Sequence, residues 1–396
     1  MDPIEPETPE IQPTQPEAPH TEAQLETSSE VEPVPAAVEP LETRILLRIL
    51  LGPEGLRAGW SVLLFVVLFF ILASLVGFVF LRLNLIDTKA HFTANQALFG
   101  ELAPFLAMVA AAAIVALIER RRGNFLAYNL TGPRRSLHFL EGLAAGFASL
   151  SALIGALAWG GWLHFGPVAL SGAQIFKYAG LWGIAFLLVG CVEEGMFRCY
   201  LQFTLTRGIN FWWALAIVGA ICLQLFLHHG KGNGVRGIYI IALLGLVPCL
   251  LLYLKKVEGS NFWQAAWVSS TFFGVVHTGN NGENWFGILA VGVIGFVFVV
   301  SIRVTGSAWW AIGCHAAWDW AETYFYGAAD SGNVATGHYL TTTPAGPALW
   351  SGGADGPEGS VLVFGVMLLL LVLLIVLYGR KKPVGVTAAT TELAAE

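Results

Sequence analysis

The chain of 396 residues is predicted to be all-α, a polytopic transmembrane helical bundle of about ten spans, and three observations predict it. Hydrophobic residues make up 56% and charged residues only 12% of the sequence, with a mean hydropathy of +0.66. A soluble domain normally carries about 25% charged residues, so a purely soluble enzyme is excluded. Apolar runs long enough to cross a bilayer, about 20 residues each, recur through the sequence. Basic residues collect on alternate connections between those runs, as the positive-inside rule requires of one membrane face.

Residues 1–43 come first, with nine prolines and with ten acids from Asp2 to Glu39. Such a stretch buries too little apolar surface to offset its ordering entropy, so it is read as a disordered cytosolic tail, not a secretory signal. With Glu42 the stretch holds eleven acids, and the rest of the chain holds 16 acids against 21 bases. No dense basic cluster exceeds three residues, which argues against nucleic acid and for a lipid bilayer as the charged partner. Residues 44–59 read as a short basic interfacial helix ending near Pro53. Spans are expected near 60–81, 99–118, 137–161, 177–206, 211–228, 235–254, 262–280, 285–302, 308–327 and 360–378. Unpaired backbone polar groups are too costly in hydrocarbon, and these runs are too continuously apolar for barrel strands, so they are helices. Glycines such as Gly142, Gly146, Gly292 and Gly295 let helix backbones approach closely.

Arg44, Arg48 and Arg57 precede the first span. Arg120, Arg121 and Arg122 follow the second, Arg207 the fourth, Lys255 and Lys256 the sixth, Arg303 the eighth, and Arg380, Lys381 and Lys382 the tenth. Both termini are therefore expected in the cytosol, with Lys231 and Arg236 dissenting. The Gly-, Pro- and Thr-rich loop 328–359 then falls outside, either flexible or lying across a pore mouth or active site. The runs 209–214 and 260–266 resemble each other, which suggests a helix pair inserted near 211–261. The organisation expected is a tail (1–43), an interfacial helix with three spans (44–176), a core (177–327), the outer loop (328–359) and a last span with a short tail (360–396). Cys191, Cys199, Cys222, Cys249 and Cys314 lie in or beside apolar runs without a C-x-x-C pair and read as buried thiols.

Ionisable residues inside spans are functional hypotheses by default. The fourth span embeds Glu193, Glu194 and Arg198, the seventh His277, and the ninth His315 and Asp319. Measured from Arg207, Phe262 and Arg303, Glu194, His277 and His315 lie 13, 15 and 12 residues away, depths of roughly 20, 22 and 18 Å at the helical rise. Three helices thus bring acid and imidazole groups to one level. Glu194 and Arg198 share a helix face, as do His315 and Asp319, and Arg198 is read as holding the neighbouring carboxylate charged. A carboxylate or imidazole can take a proton from water while a second imidazole stabilises an oxyanion. Alternatively Glu193, His277 and His315 would bind one divalent ion such as zinc. Two other classes compete: a transporter with a midplane ionisable site, and a non-catalytic membrane scaffold. His228, His229, Asn280, Asn281, Glu283 and Asn284 read as interface or rim.

The E-E-x-x-x-R run from Glu193 to Arg198, the F-x-x-x-H run from Phe273 to His277 and the H-x-x-x-N/D run from His315 to Asp319 resemble the three motifs of the CAAX protease and bacteriocin-processing family of intramembrane proteases. The resemblance covers roughly 177–327. It implies an endopeptidase that hydrolyses a membrane-associated protein or peptide, in a bacterial-type member of the inner (cell) membrane. It also implies roles: Glu193 activates water with His277, Glu194 and Arg198 support the site, and His315 with Asp319 stabilises the oxyanion. The family admits both metal-dependent and glutamate-dependent mechanisms. The separation of Arg198 from His277 is longer than the family usually shows, which the inserted pair would explain.

Overall fold

In the computed structural model, residues 47–52, 55–87, 93–119, 128–229, 233–280 and 284–379 are described. The acidic tail, Arg44, His20, His91, Arg120, Arg121, Arg122, Lys231, Asn281, Glu283, Arg380, Lys381 and Lys382 lie outside those residues, as do the side chains of His228, His229 and Arg236.

One helical turn at residues 47–50 leads into a hairpin of β1 (Leu51–Gly52) and β2 (Gly55–Leu56). Of the predicted interfacial helix 44–59, the described residues hold one turn, and it ends before Gly52, where the chain enters the hairpin. The main helices follow: α1 (Ala58–Arg82), α2 (Ala94–Ile118), α3 (Arg135–Trp159), α4 (Ala173–Glu194), α5 (Phe211–His229), α6 (Asn233–Leu254), α7 (Ser260–Val276), α8 (Trp285–Thr305), α9 (Trp309–Asp319) and α10 (Val363–Tyr378). The start signals are local. Thr93 accepts a hydrogen bond from the Gln96 amide at the start of α2, and Asn284 caps α8 through the Phe286 and Gly287 amides. Gly306, with φ of 84°, ends α8 in the left-handed conformation that lacks a penalty only for glycine.

Each of the ten expected spans falls on one of these helices. Six described helices are long and apolar enough to cross a membrane: α1, α2, α3, α4 continued to Thr206, the part of α6 from Gly237 to Leu254, and α8. The described part of α5 (Phe211–Leu227) and α10 (Val363–Tyr378) are apolar and shorter. Helix α7 stops at 17 residues and α9 at 11. These two carry His277 and His315 at their ends, and the polar content that makes them interesting also lowers their hydropathy.

Helix α4 does not end at Glu194 but widens into a π-helical stretch, Gly195–Leu201, before a last α turn. Helix α9 likewise passes into a π-helical stretch, Trp320–Phe325. Both insertions begin directly after a predicted site residue, a position where such bulges recur at functional sites. Glycines set how closely the site-bearing helices approach. A Cβ at Gly142 would strike the Trp310 carbonyl oxygen, one at Gly146 the Cys314 carbonyl, and one at Gly313 the Phe139 carbonyl, so α3 and α9 meet backbone to backbone. A Cβ at Gly190 would lie 3.0 Å from Ile312 O, and one at Gly274 2.9 Å from Ile288 O. Of these glycines, Gly190, Gly274 and Gly313 lie three residues or fewer from Glu193, His277 and His315 respectively.

The loop 328–359 is the second of the two expected alternatives, a cover. Strand β3 (Leu163–Phe165) pairs antiparallel with β4 (Thr342–Pro344), Trp162 stacks on Trp350 at 4.9 Å, and the Tyr339 and Leu340 amides donate to the Tyr324 and Phe325 carbonyls. The loop is thereby fastened to the end of α9 and the connection after α3.

Candidate active site

The site forms where α4, α7 and α9 converge, and its core is a run of paired groups. Glu194 is fully buried and bridges two elements. Its Oε1 accepts from His315 Nδ1 at 2.9 Å and its Oε2 lies 3.2 Å from Arg198 Nε. The Arg198 guanidinium stacks over the Phe273 ring at 3.9 Å and faces Phe298 at 5.5 Å. A buried carboxylate stays charged only with such a partner, so Arg198 fixes Glu194 as an acceptor and Glu194 fixes the proton of His315 on Nδ1. The widened π turn leaves the Arg198 carbonyl in need of a donor, and Asn129 Nδ2 supplies it at 2.9 Å.

His277 is oriented differently. Its Nδ1–H donates to the Phe273 carbonyl at 2.8 Å, and because a carbonyl only accepts, the neutral ring presents a bare Nε2. Glu193 Oε2 lies 3.8 Å from that Nε2 and 3.7 Å from His315 Nε2, and it has no hydrogen-bond partner. Asp319 Oδ2 lies 3.5 Å from His315 Nε2. The gaps around Glu193 exceed a direct hydrogen bond and suit a bridging water.

Of the six predicted residues, Glu193, His277, His315 and Asp319 line a cavity of about 290 Å³. Glu194 and Arg198 stand behind its wall, 0% and 1% exposed. Among the described residues no group of three or more His, Cys, Asp or Glu side chains could hold a metal ion. Glu193 Oε2 lies near the Nε2 atoms of both His277 and His315.

Residues 249–321 match a family model described as type II CAAX prenyl endopeptidase Rce1-like. Over that segment the chain is similar to the CAAX proteases. The Rce1-like segment runs from the end of α6 into the turn after α9. It holds His277, His315 and Asp319 and stops short of Glu193, Glu194 and Arg198. No curated protein and no solved structure matches the chain. The six membrane-length helices and the Rce1-like segment together make it a multi-pass membrane protein and a CAAX-type protease in the broad sense.

The cavity contains residues that sequence reasoning missed: Glu101 from α2, and Asp330, Ser331, Asn333 and Glu358 from the cover. Glu101 carried a usable signal, since it is the only acid in the run 94–118. The cover residues carried none, because loop contacts have no periodicity. Ser331 donates to Glu358 Oε1 from its amide at 2.9 Å and its hydroxyl at 3.1 Å, and Thr323 donates to Asp330 Oδ2 at 2.7 Å. Burial, with the nearby Asp330 and Asp355 carboxylates, pushes the Glu358 carboxyl up to about 8. Burial likewise raises Asp330, against the Thr323 hydrogen bond. Asn280 and Trp318 complete the polar lining, and the Trp318 indole donates to Glu322 Oε2 at 2.9 Å.

Proposed function

We propose that this chain is an intramembrane endopeptidase in which Glu193 activates water for attack on a peptide bond of a membrane-associated protein or peptide. The observation that supports it is Glu193, which lines the cavity and whose Oε2, without a hydrogen-bond partner, is set 3.7–3.8 Å from two imidazole Nε2 atoms. A water in that gap donates to Glu193 and to the bare Nε2 of His277. Glu193 takes one proton as the water oxygen bonds to the carbonyl carbon. His315, flanked by Glu194 on Nδ1 and Asp319 near Nε2, carries the positive charge and presents Nε2–H to the developing oxyanion. Glu193 then returns its proton to the amide nitrogen as the C–N bond breaks, leaving one new carboxylate and one new amine. Arg198 takes no part in proton transfer and keeps Glu194 ionised.

The catalytic core in this reading is 177–327, with α5 and α6 as an inserted pair. The cover faces the extracytoplasmic side. Arg57, Arg207, Lys255, Lys256 and Arg303, at the opposite ends of α1, α4, α6 and α8, mark the cytosolic face of a bacterial cell membrane. Incubating the reconstituted protein with a library of membrane-tethered peptides in H₂¹⁸O tests the reaction class. The expected product carries one ¹⁸O in a newly formed C-terminal carboxylate. Absence of any new carboxylate across the library, with the protein folded, overturns the reading.

A further inference from the structure

We infer that a second cavity, at the end of the bundle away from the cover, is a binding site for an anionic phospholipid. The cavity measures about 580 Å³ and lies between the β1–β2 hairpin, the start of α1, the end of α4 and the start of α5. Its lining divides by chemistry. Arg57 and Arg207 are its charged residues, while Trp60, Trp213, Leu63 and Ile217 supply an amphipathic and apolar wall. Indole rings beside arginines at the ends of membrane helices mark the headgroup level of a bilayer, and basic pockets there hold acidic headgroups.

The charges are not balanced within the cavity. Arg207 is already committed to Glu119, at 3.3 Å, and to the Leu56 carbonyl at 2.9 Å. Glu119 is also held by the Ser61 hydroxyl. Arg57 uses only Nε, donating to the Arg48 carbonyl at 3.0 Å, and meets no acid among the described residues. It also occupies the cap position of α1 without a side-chain cap, so the first amides of a 25-residue helix face the same region. A phosphodiester meets Arg57 and those amides, and its acyl chains run down past Trp213, Leu63 and Ile217 into the bilayer. Trp60, whose indole donates to the Ile49 carbonyl at 3.1 Å, closes the hairpin side.

The test compares the full chain in phosphatidylcholine nanodiscs with and without phosphatidylglycerol, reading retained lipid by native mass spectrometry. Phosphatidylglycerol is expected to be retained over phosphatidylcholine. Arg57→Gln is expected to lower that retention about fivefold, the worth of one basic group near an anionic surface, while Arg57→Lys keeps most of it. Arg303→Gln, which removes a charge at the same end outside the cavity, is expected to change nothing. Equal retention by wild type and Arg57→Gln, or equal losses in Arg57→Gln and Arg303→Gln, would overturn the site. Displacement by soluble glycerol phosphate at matched concentration would make the ligand a free phosphate ester and overturn the lipid assignment.

Discussion

Glu193 and Glu194 are neighbours in sequence and differ in every physical respect. Glu194 is sealed from solvent and pairs with an arginine and an imidazole, whereas Glu193 is partly exposed and lines the cavity. The adjacency and the i, i+4 pairing with Arg198 were legible from spacing alone, because a helix turns by about 100° per residue and separates consecutive side chains. Which of the two acids faces the cavity was not legible, since that depends on where α9 packs. Arg198→Met is expected to leave Glu194 buried without its counter-charge and to destabilise the fold by about 3–5 kcal/mol, read as thermal unfolding in detergent. Combining it with Glu194→Gln is expected to cost less than Arg198→Met alone. Additive losses would mean that the pair is not coupled.

Helix α3 holds no ionisable residue that reaches the cavity, yet it sets the position of His315 through Gly142 and Gly146. The sequence indicated close approach by these glycines but not the partner helix, because glycine spacing is silent on what it faces. Gly146→Leu is expected to force α9 away, lowering stability by about 1–3 kcal/mol and reducing cleavage. Gly155→Leu on the same helix, where an added side chain meets open space, is expected to be neutral in both measurements. The cover responds to pH with a definite sign. Glu358 has its folded value raised from 4.5 to about 8, so the folded state holds its proton longer and stability falls as pH rises through that window. Hydrogen exchange in 328–359, corrected for intrinsic rates, is expected to be faster at alkaline than at mildly acidic pH, and Glu358→Gln is expected to flatten the difference. An unchanged profile in that variant would assign the pH response to another group.

The all-helical membrane architecture follows from composition and run length, properties that local sequence carries fully. The departures from regular α-helix did not, because α7 passes into a 3-10 turn at His277 and α9 into a π-helical stretch after Asp319. The molecule therefore encloses its polar cavity between complete spans on one side and shortened helices under a fastened cover on the other. In that enclosure a single carboxylate, Glu193, is assigned the activation of water. Glu193→Gln preserves the side-chain volume and removes only the base. Reconstituted with a membrane-tethered peptide that the wild type cleaves, this variant is expected to retain peptide binding while cleaving about 10²–10⁴-fold more slowly. Cleavage at the wild-type rate with binding intact would contradict the assignment.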